Sequence, residues 1–335
     1  MKLTPGKLAG LNAVSNPDGI IAAAAMDQRG SLRKSIGAAR GSEASEQDLI
    51  CFKELVTDTL TRFASAILLD PEYGLPAASK RKQAGLLLAY EKTGYDSAVE
   101  GRLPDLLDLW SVRRLKAAGA DCVKILLYYS PIEDSAINER KKAWVERIGE
   151  ECVGQDIPFF LELVGYDCSG KGEKTEEYAR LKPSIVADSM QEFGQDQYSV
   201  DVLKVEVPVE TSFVEGTQAF KGVSAYTRKE AMQCFRDVES CSDKPYIYLS
   251  AGVTNPIFVE TLELAAEAGS HFSGVLCGRA TWNDGIAIYG KDGEAAFREW
   301  LEATGVSNIL KVNKTLQAAT PWFKRMGASS ASEFI

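Results

Sequence analysis

Apolar residues gather into eight short runs: 19–27 (GIIAAAAMD), 66–70 (AILLD), 85–90 (GLLLAY), 122–128 (CVKILLY), 158–164 (PFFLELV), 202–207 (VLKVEV), 246–250 (YIYLS) and 274–279 (GVLCGR). Runs of this length and β-rich composition predict strands. Most intervening stretches repeat apolar residues at helical spacing, as in Leu49, Phe52, Val56, Leu60 and Phe63. Ser45 with Asp48, and Thr227 with Glu230, have the spacing of a capping box. Pro104 opens an apolar-periodic stretch closed by Gly119, and Asn255-Pro256 opens one closed by Gly269, so both predict helices. Eight strand–helix units over 335 residues fit one α/β domain, a (β/α)8 TIM barrel over about 16–290. Residues 291–327 read as additional C-terminal helices and 328–335 as a loose tail.

Strand parity then locates the chemistry, because alternate residues face the helices and the barrel centre. In the sixth run an outer row of Leu203, Val205 and Val207 leaves Lys204 and Glu206 pointing inward. Outer Val123, Ile125 and Leu127 leave Lys124 inside, and outer Phe159, Leu161 and Leu163 leave Glu162 inside. The first run ends on Asp27 in the inner row with Ala23 and Ala25. The same reading places Ser250 inward with Tyr246 and Tyr248, and Arg279 inward with Val275 and Cys277. Active sites form at these carboxyl ends.

Composition narrows the chemistry further. The chain is 45% hydrophobic and 25% charged, as in ordinary globular domains. Its net charge of −9 disfavours nucleic acid and anionic membrane as partners, so an anionic ligand needs a local basic site. The apolar run 20–26 is too short to span a bilayer and no signal segment precedes it, which predicts a cytoplasmic protein. Seven cysteines, an odd number without a C-x-x-C pair, predict reduced thiols. His271, the one histidine, lies in a turn, which leaves Ser-His-Asp triads and multi-histidine zinc sites without material. Neither a P-loop nor a G-x-G-x-x-G motif is present.

Two lysines inside one barrel lose several kcal/mol of hydration each unless paired. Ion pairs with Glu162, Glu206 and Asp27 are one account of them. A Schiff-base lysine is the other: a neutral amine can attack a ketone, and the resulting iminium draws electrons from a breaking carbon–carbon bond while carboxylates move protons. The Gly turn at Ser250, Ala251 and Gly252, with Gly278 and Arg279 on the next strand, suits a phosphate. Arg29, Arg33 and Lys34 in "DQRGSLRK" form either a solvated charged loop or a second anionic pole.

The segments "AMDQRGSLRK", "ILLDPEYGLPA", "GLLLAYEKTGYD", "GRLPDL", "VKILLYY", "VLKVEVPVE", "PYIYLSAGV" and "GVLCGRATW" resemble class I tagatose 1,6-bisphosphate aldolases from about residue 16 to 323. The resemblance implies a cytoplasmic, metal- and cofactor-independent lyase of the tagatose 6-phosphate pathway of lactose and galactose metabolism. Such an enzyme cleaves tagatose 1,6-bisphosphate to dihydroxyacetone phosphate and glyceraldehyde 3-phosphate, and fructose 1,6-bisphosphate is a further substrate of loosely discriminating members. It places the Schiff-base lysine at Lys204, the acid/base glutamate at Glu162, and a substrate-positioning pair at Asp27 and Lys124. Phosphate residues fall on Ser250, Gly252, Gly278 and Arg279, with Gln28 and Arg29 suggested for the other phosphate. The Gly-rich connection 163–174 departs from the family pattern and is a place where substrate preference or closure can differ. A related aldolase for another phosphorylated or sulfonated ketose, and a catalytically idle sugar-phosphate sensor, are the alternative readings. Trp322 and Phe323 are expected as an interface of a homo-oligomer, as a lid, or as core.

Overall fold

The computed structural model describes residues 3–92 and 100–334. Eight parallel strands close a barrel in chain order: β1 (Ile21–Met26), β2 (Ala66–Leu69), β3 (Gly85–Ala89), β4 (Cys122–Tyr128), β5 (Phe159–Val164), β6 (Val202–Val205), β7 (Tyr246–Tyr248) and β8 (Gly274–Cys277). β8 returns to β1 in a register that sets Leu276 opposite Ala23. All eight lie inside the runs expected from the sequence. Of the quoted segment "GLLLAYEKTGYD", positions 93–96 lie outside the described residues.

Two apolar layers follow from strand alternation. The outer one packs Ile67, Val123, Ile125, Leu161, Leu203 and Val205 against helix residues such as Phe52, Val145 and Phe235. The inner one stacks Ile21, Ala23, Ala66, Leu68, Leu87, Phe160, Val202 and Ile247. Leu8, Leu11 and Val14, from the helix Pro5–Val14, close the lower end of this inner layer together with Trp322 and Phe334. At Gly10 that helix runs so close to the barrel that a Cβ would lie 2.4 Å from the Asp121 carbonyl, which only glycine permits. The lower half of the barrel is therefore lined by apolar side chains, and the inward charges lie above it.

Local signals explain most of the helices. Both capping boxes form, Ser45 with Asp48 ahead of Glu46–Leu60 and Thr227 with Glu230 ahead of Arg228–Glu239. The helix Asn255–Glu267 starts with Pro256 in its first turn and is followed by Gly269 at φ +77°. No described helix is long and apolar enough to cross a membrane.

Several expectations are corrected. Pro104 does not start a helix. Residues 105–107 instead pair with residues 90–92 just past β3, the Lys92 amide donating to the Asp105 carbonyl and the Leu107 amide to that of Tyr90, and the helix begins at Val112 with Ser111 as its cap. Only the start of "DQRGSLRK", Asp27–Arg29, is a connection, and Arg33 and Lys34 lie in a helix over Gly30–Arg40. The C-terminal helical region starts before residue 291, with Arg279–Trp282 and Gly285–Trp300. The tail is not loose: Ala331–Phe334 forms a short turn that buries Phe334 against Trp322, ring centroids 5.6 Å apart. Trp322 is fully buried at the end of the barrel opposite the charges, so it is core and not a lid.

The parity reading fails on the last two strands. Tyr246, Tyr248, Val275 and Cys277 face the helices, while Ile247 and Leu276 face the barrel centre. Both alternating sets are apolar in these runs, so hydrophobicity cannot choose between them. The phenols tolerate the outer layer because Tyr246 and Tyr248 both reach the Ser270 hydroxyl, at 2.8 and 3.2 Å.

Candidate active site

Register and parity together build the site. Glu162 on β5 lies beside Leu126 on one side and Lys204 on the other, and it points inward. Its Oε1 meets Lys204 Nζ at 2.7 Å and its Oε2 meets Lys124 Nζ at 2.6 Å. One carboxylate thus bridges both lysines. Lys124 also donates to Asp27 Oδ2 at 3.0 Å and to Glu91 Oε1 at 2.8 Å. Lys124, Lys204, Glu162 and Glu91 are all buried, with Asp27 half-buried at the rim.

The two lysines are not equivalent. Lys124 lies within ion-pair distance of three carboxylates, which hold it as an ammonium. Burial opposes its charge, but Asp27, Glu162 and Glu91 hold its proton affinity well above that of an ordinary lysine. Lys204 meets one carboxylate among the described residues. Burial favours protonated Glu162, yet Lys124 and then Lys204 keep its carboxyl below the usual range. Asp27 is driven lower still, burial being outweighed by the same two lysines.

Glu91 was missed by the sequence reading, which ended its third run one residue earlier. The signal was there: Leu87 and Ala89 face inward, and Glu91 continues that row. Lys53 was missed as well. It is fully buried on the helix Glu46–Leu60 and donates to the Met26 and Gln28 carbonyls, each at 2.7 Å, while pairing with Asp70 at 2.7 Å. Both carbonyls flanking Asp27 are thereby pinned by one ammonium. Glu206, expected among the inward acids, turns instead to Lys182 at 3.2 Å and accepts from the Gly165 amide at 2.8 Å. It lies one residue past the end of β6, where the ladder no longer dictates direction.

The remaining expected residues take the following places. Ser250 is buried at the end of β7. Gly252, at φ +78°, lies under the Arg279 guanidinium, whose Cζ is 2.7 Å from where a Cβ would stand. Gly278 backs onto the Ala25 carbonyl, and Arg279 is exposed. Arg29 is buried, donating to Glu72 at 2.6 Å and to the Glu91 carbonyl at 2.7 Å. Gln28 is half-buried, and its Oε1 has no hydrogen-bond partner among the described residues.

The connection 163–174 is anchored beside this mouth. Tyr166 donates to Glu133 at 2.8 Å and accepts from buried Lys141 at 2.9 Å. Arg102 stacks over the rings of Tyr128 and Tyr166, at 5.1 and 4.9 Å, and pairs with Glu173 at 2.7 Å. A cleft of about 1070 Å³ lies at the opposite face, among Asn12, Asn16, Ser65 and Ala84 ahead of the first three strands.

A buried amine beside a bridging carboxylate, with a guanidinium and a Gly turn at the rim, can form and resolve a carbinolamine on a phosphorylated ketone. Residues 21–284 match the family model described as DeoC/LacD family aldolase. A tagatose 1,6-diphosphate aldolase of Staphylococcus haemolyticus is 52% identical over 318 residues, which covers 94% of this chain and 97% of that protein. Tagatose 1,6-diphosphate aldolase 2 of Enterococcus faecalis is 51% identical over 328 residues, covering 97% and 98%. The barrel is similar to that of fructose-bisphosphate aldolase from Plasmodium falciparum, with a TM-score of 0.67 at 16% identity over 93% of this chain and 96% of that one. That last likeness is one of fold. Family model and close relatives agree over nearly the whole length, and the chain belongs to the DeoC/LacD family of aldolases.

Proposed function

We propose that this chain is a class I aldolase that cleaves D-tagatose 1,6-bisphosphate to dihydroxyacetone phosphate and D-glyceraldehyde 3-phosphate, with Lys204 as the Schiff-base residue, and that it also accepts fructose 1,6-bisphosphate. The observation that supports this most is the single carboxylate of Glu162 set between Lys204 and Lys124. Lys204 gives a proton to Glu162 and attacks the carbonyl carbon 2, forming a carbinolamine. Glu162 returns the proton to the departing hydroxyl, water leaves, and an iminium remains. A carboxylate then takes the proton of the carbon 4 hydroxyl. Glu162 fits this step better than Asp27, because Glu162 pairs with Lys204 directly, whereas among the described residues Asp27 pairs with Lys124 alone. The bond between carbons 3 and 4 breaks, its electrons pass into the enamine on Lys204, and the aldehyde departs. Protonation and hydrolysis of the enamine release dihydroxyacetone phosphate.

Borohydride reduction in the presence of dihydroxyacetone phosphate tests the covalent step. A reduced adduct on Lys204, found by peptide mass mapping and unaffected by a chelator, is the expected outcome. No adduct on any lysine would overturn the mechanism and favour the sensor.

Ser250, Gly252, Gly278 and Arg279 are assigned to the phosphate of the dihydroxyacetone half, and Gln28 with Arg29 to the other pole. The Arg29 side chain already donates to Glu72 and to the Glu91 carbonyl, and the Gln28 carbonyl is held by Lys53. Losing one charge-assisted contact costs about 1.5–3 kcal/mol. Arg279→Ala should therefore raise KM for the bisphosphate by about tenfold to a hundredfold, with the thermal unfolding midpoint unchanged because this side chain is exposed. An unmoved KM would remove Arg279 from the phosphate site.

A further inference from the structure

Glu91 has no role in the steps above, although it is buried against their central cation. Its Oε1 takes one of the three N–H groups of Lys124, at 2.8 Å, and its Oε2 is buried without a hydrogen-bond partner among the described residues. The residue is held in place independently of its carboxyl group. Its carbonyl accepts from Arg29 at 2.7 Å, and its backbone bridges Leu106. A carboxylate is thus presented to Lys124 at a position the main chain already fixes.

The charges around it explain what it does. Two ammonium groups, Lys124 and Lys204, share the cavity with three carboxyl groups, Asp27, Glu91 and Glu162. Lys124 is the cation that Glu162 feels most strongly, and Asp27 and Glu91 are the two groups besides Glu162 that offset it. Resting on the Schiff-base reading of Lys204, we propose that Glu91 is a positioning residue: by holding and partly neutralising Lys124, it sets how readily Glu162 takes up and returns the Lys204 proton.

A pH signature follows. The groups facing Glu91 are Lys124 from β4, Asp27 from the end of β1, and Arg29 from the turn after it. Burial raises its proton affinity above the ordinary 4.5, Lys124 opposes this, and Asp27 adds to it. Glu91 therefore ionises later than an ordinary glutamate as pH rises, and Glu162 becomes the stronger base when it does. The wild-type kcat should show an inflection above pH 4.5 that belongs to this ionisation.

Glu91→Gln keeps the shape and freezes the uncharged state. A change of about one unit in the Glu162 proton affinity corresponds to about tenfold. The variant should lose about tenfold in kcat at neutral pH, keep KM within about twofold, and lack the inflection. Glu91→Asp, which retains the charge, should keep the inflection and recover most of kcat, and this second variant guards against a folding defect in the first. Equal losses in both variants without any change of pH profile would mean a structural role and overturn the proposal. So would a Gln variant with full kcat and the inflection intact. Borohydride trapping of the wild type separates the two ideas. An adduct on another lysine overturns the Schiff-base reading and this inference together, whereas an adduct on Lys204 beside an unaltered Glu91→Gln profile overturns this inference alone.

Discussion

Lys204→Met is expected to abolish cleavage, by on the order of 10⁴-fold or more, while leaving the barrel folded. The asymmetry between the two lysines makes this a specific claim. Lys204 contributes one ion pair, to a carboxylate that Lys124 still holds at 2.6 Å after Lys204 is gone. No buried charge is orphaned, and methionine fills most of the vacated volume. Lys124→Met is the contrasting case: Asp27, Glu91 and Glu162 would lose their shared cation, and breaking a buried pair on one side costs about 3–5 kcal/mol. The Lys204 variant should unfold within a few degrees of wild type, and the Lys124 variant well below it. Steady-state cleavage assays with thermal unfolding of both proteins check this. Activity of the Lys204 variant within a hundredfold of wild type would remove Lys204 as the nucleophile.

The site was legible where single charges interrupt apolar strands. In "CVKILLY", "FFLELV" and "VLKV" a lone charge within the strand cannot face the packed helices without a partner, so parity sets its direction. Register then makes Glu162 and Lys204 neighbours, a fact no single strand contains. In "YIYLS" both alternating sets are apolar, and the deciding contact, Ser270 under the two phenols, lies some twenty residues away. Glu206 defeated the same reasoning because parity lapses past the last paired residue, where Lys182, borne on a helix, could capture it. Lys53 stands in the apolar stripe of its helix with Leu49, Phe52, Val56 and Leu60, and a lysine in a buried stripe is a visible anomaly. What could not be read was its function, because the acceptors are main-chain carbonyls of β1 and its turn. Phe334 lies in a tail too short for any periodicity, and only its packing on Trp322 gives it a place.

Glu162→Gln isolates the proton-transfer half of the mechanism. The amide preserves the shape and can still accept a hydrogen bond from one lysine, but it cannot take a proton from Lys204. Loss of a positioned acid/base group costs about 10²–10⁴-fold, and kcat is expected to fall within that range. KM should move little, because Arg279 and Gly252, which we propose hold the phosphate, are untouched. Stability supplies a second readout whose sign is fixed. The folded protein holds the Glu162 carboxyl below its free value of 4.5, since burial is outweighed by Lys124 and Lys204. A depressed carboxyl contributes stability above the unfolded value and loses it as pH falls through the folded one. Wild type should therefore be more stable than Glu162→Gln at pH 7, and the two should converge as the pH drops below 4.5. Denaturant unfolding at a series of pH values, beside kcat of both proteins, tests both halves. A kcat within threefold of wild type would transfer the acid/base role to Asp27. A stability difference that stays constant on acidification would mean that the two lysines do not hold Glu162 in its charged form.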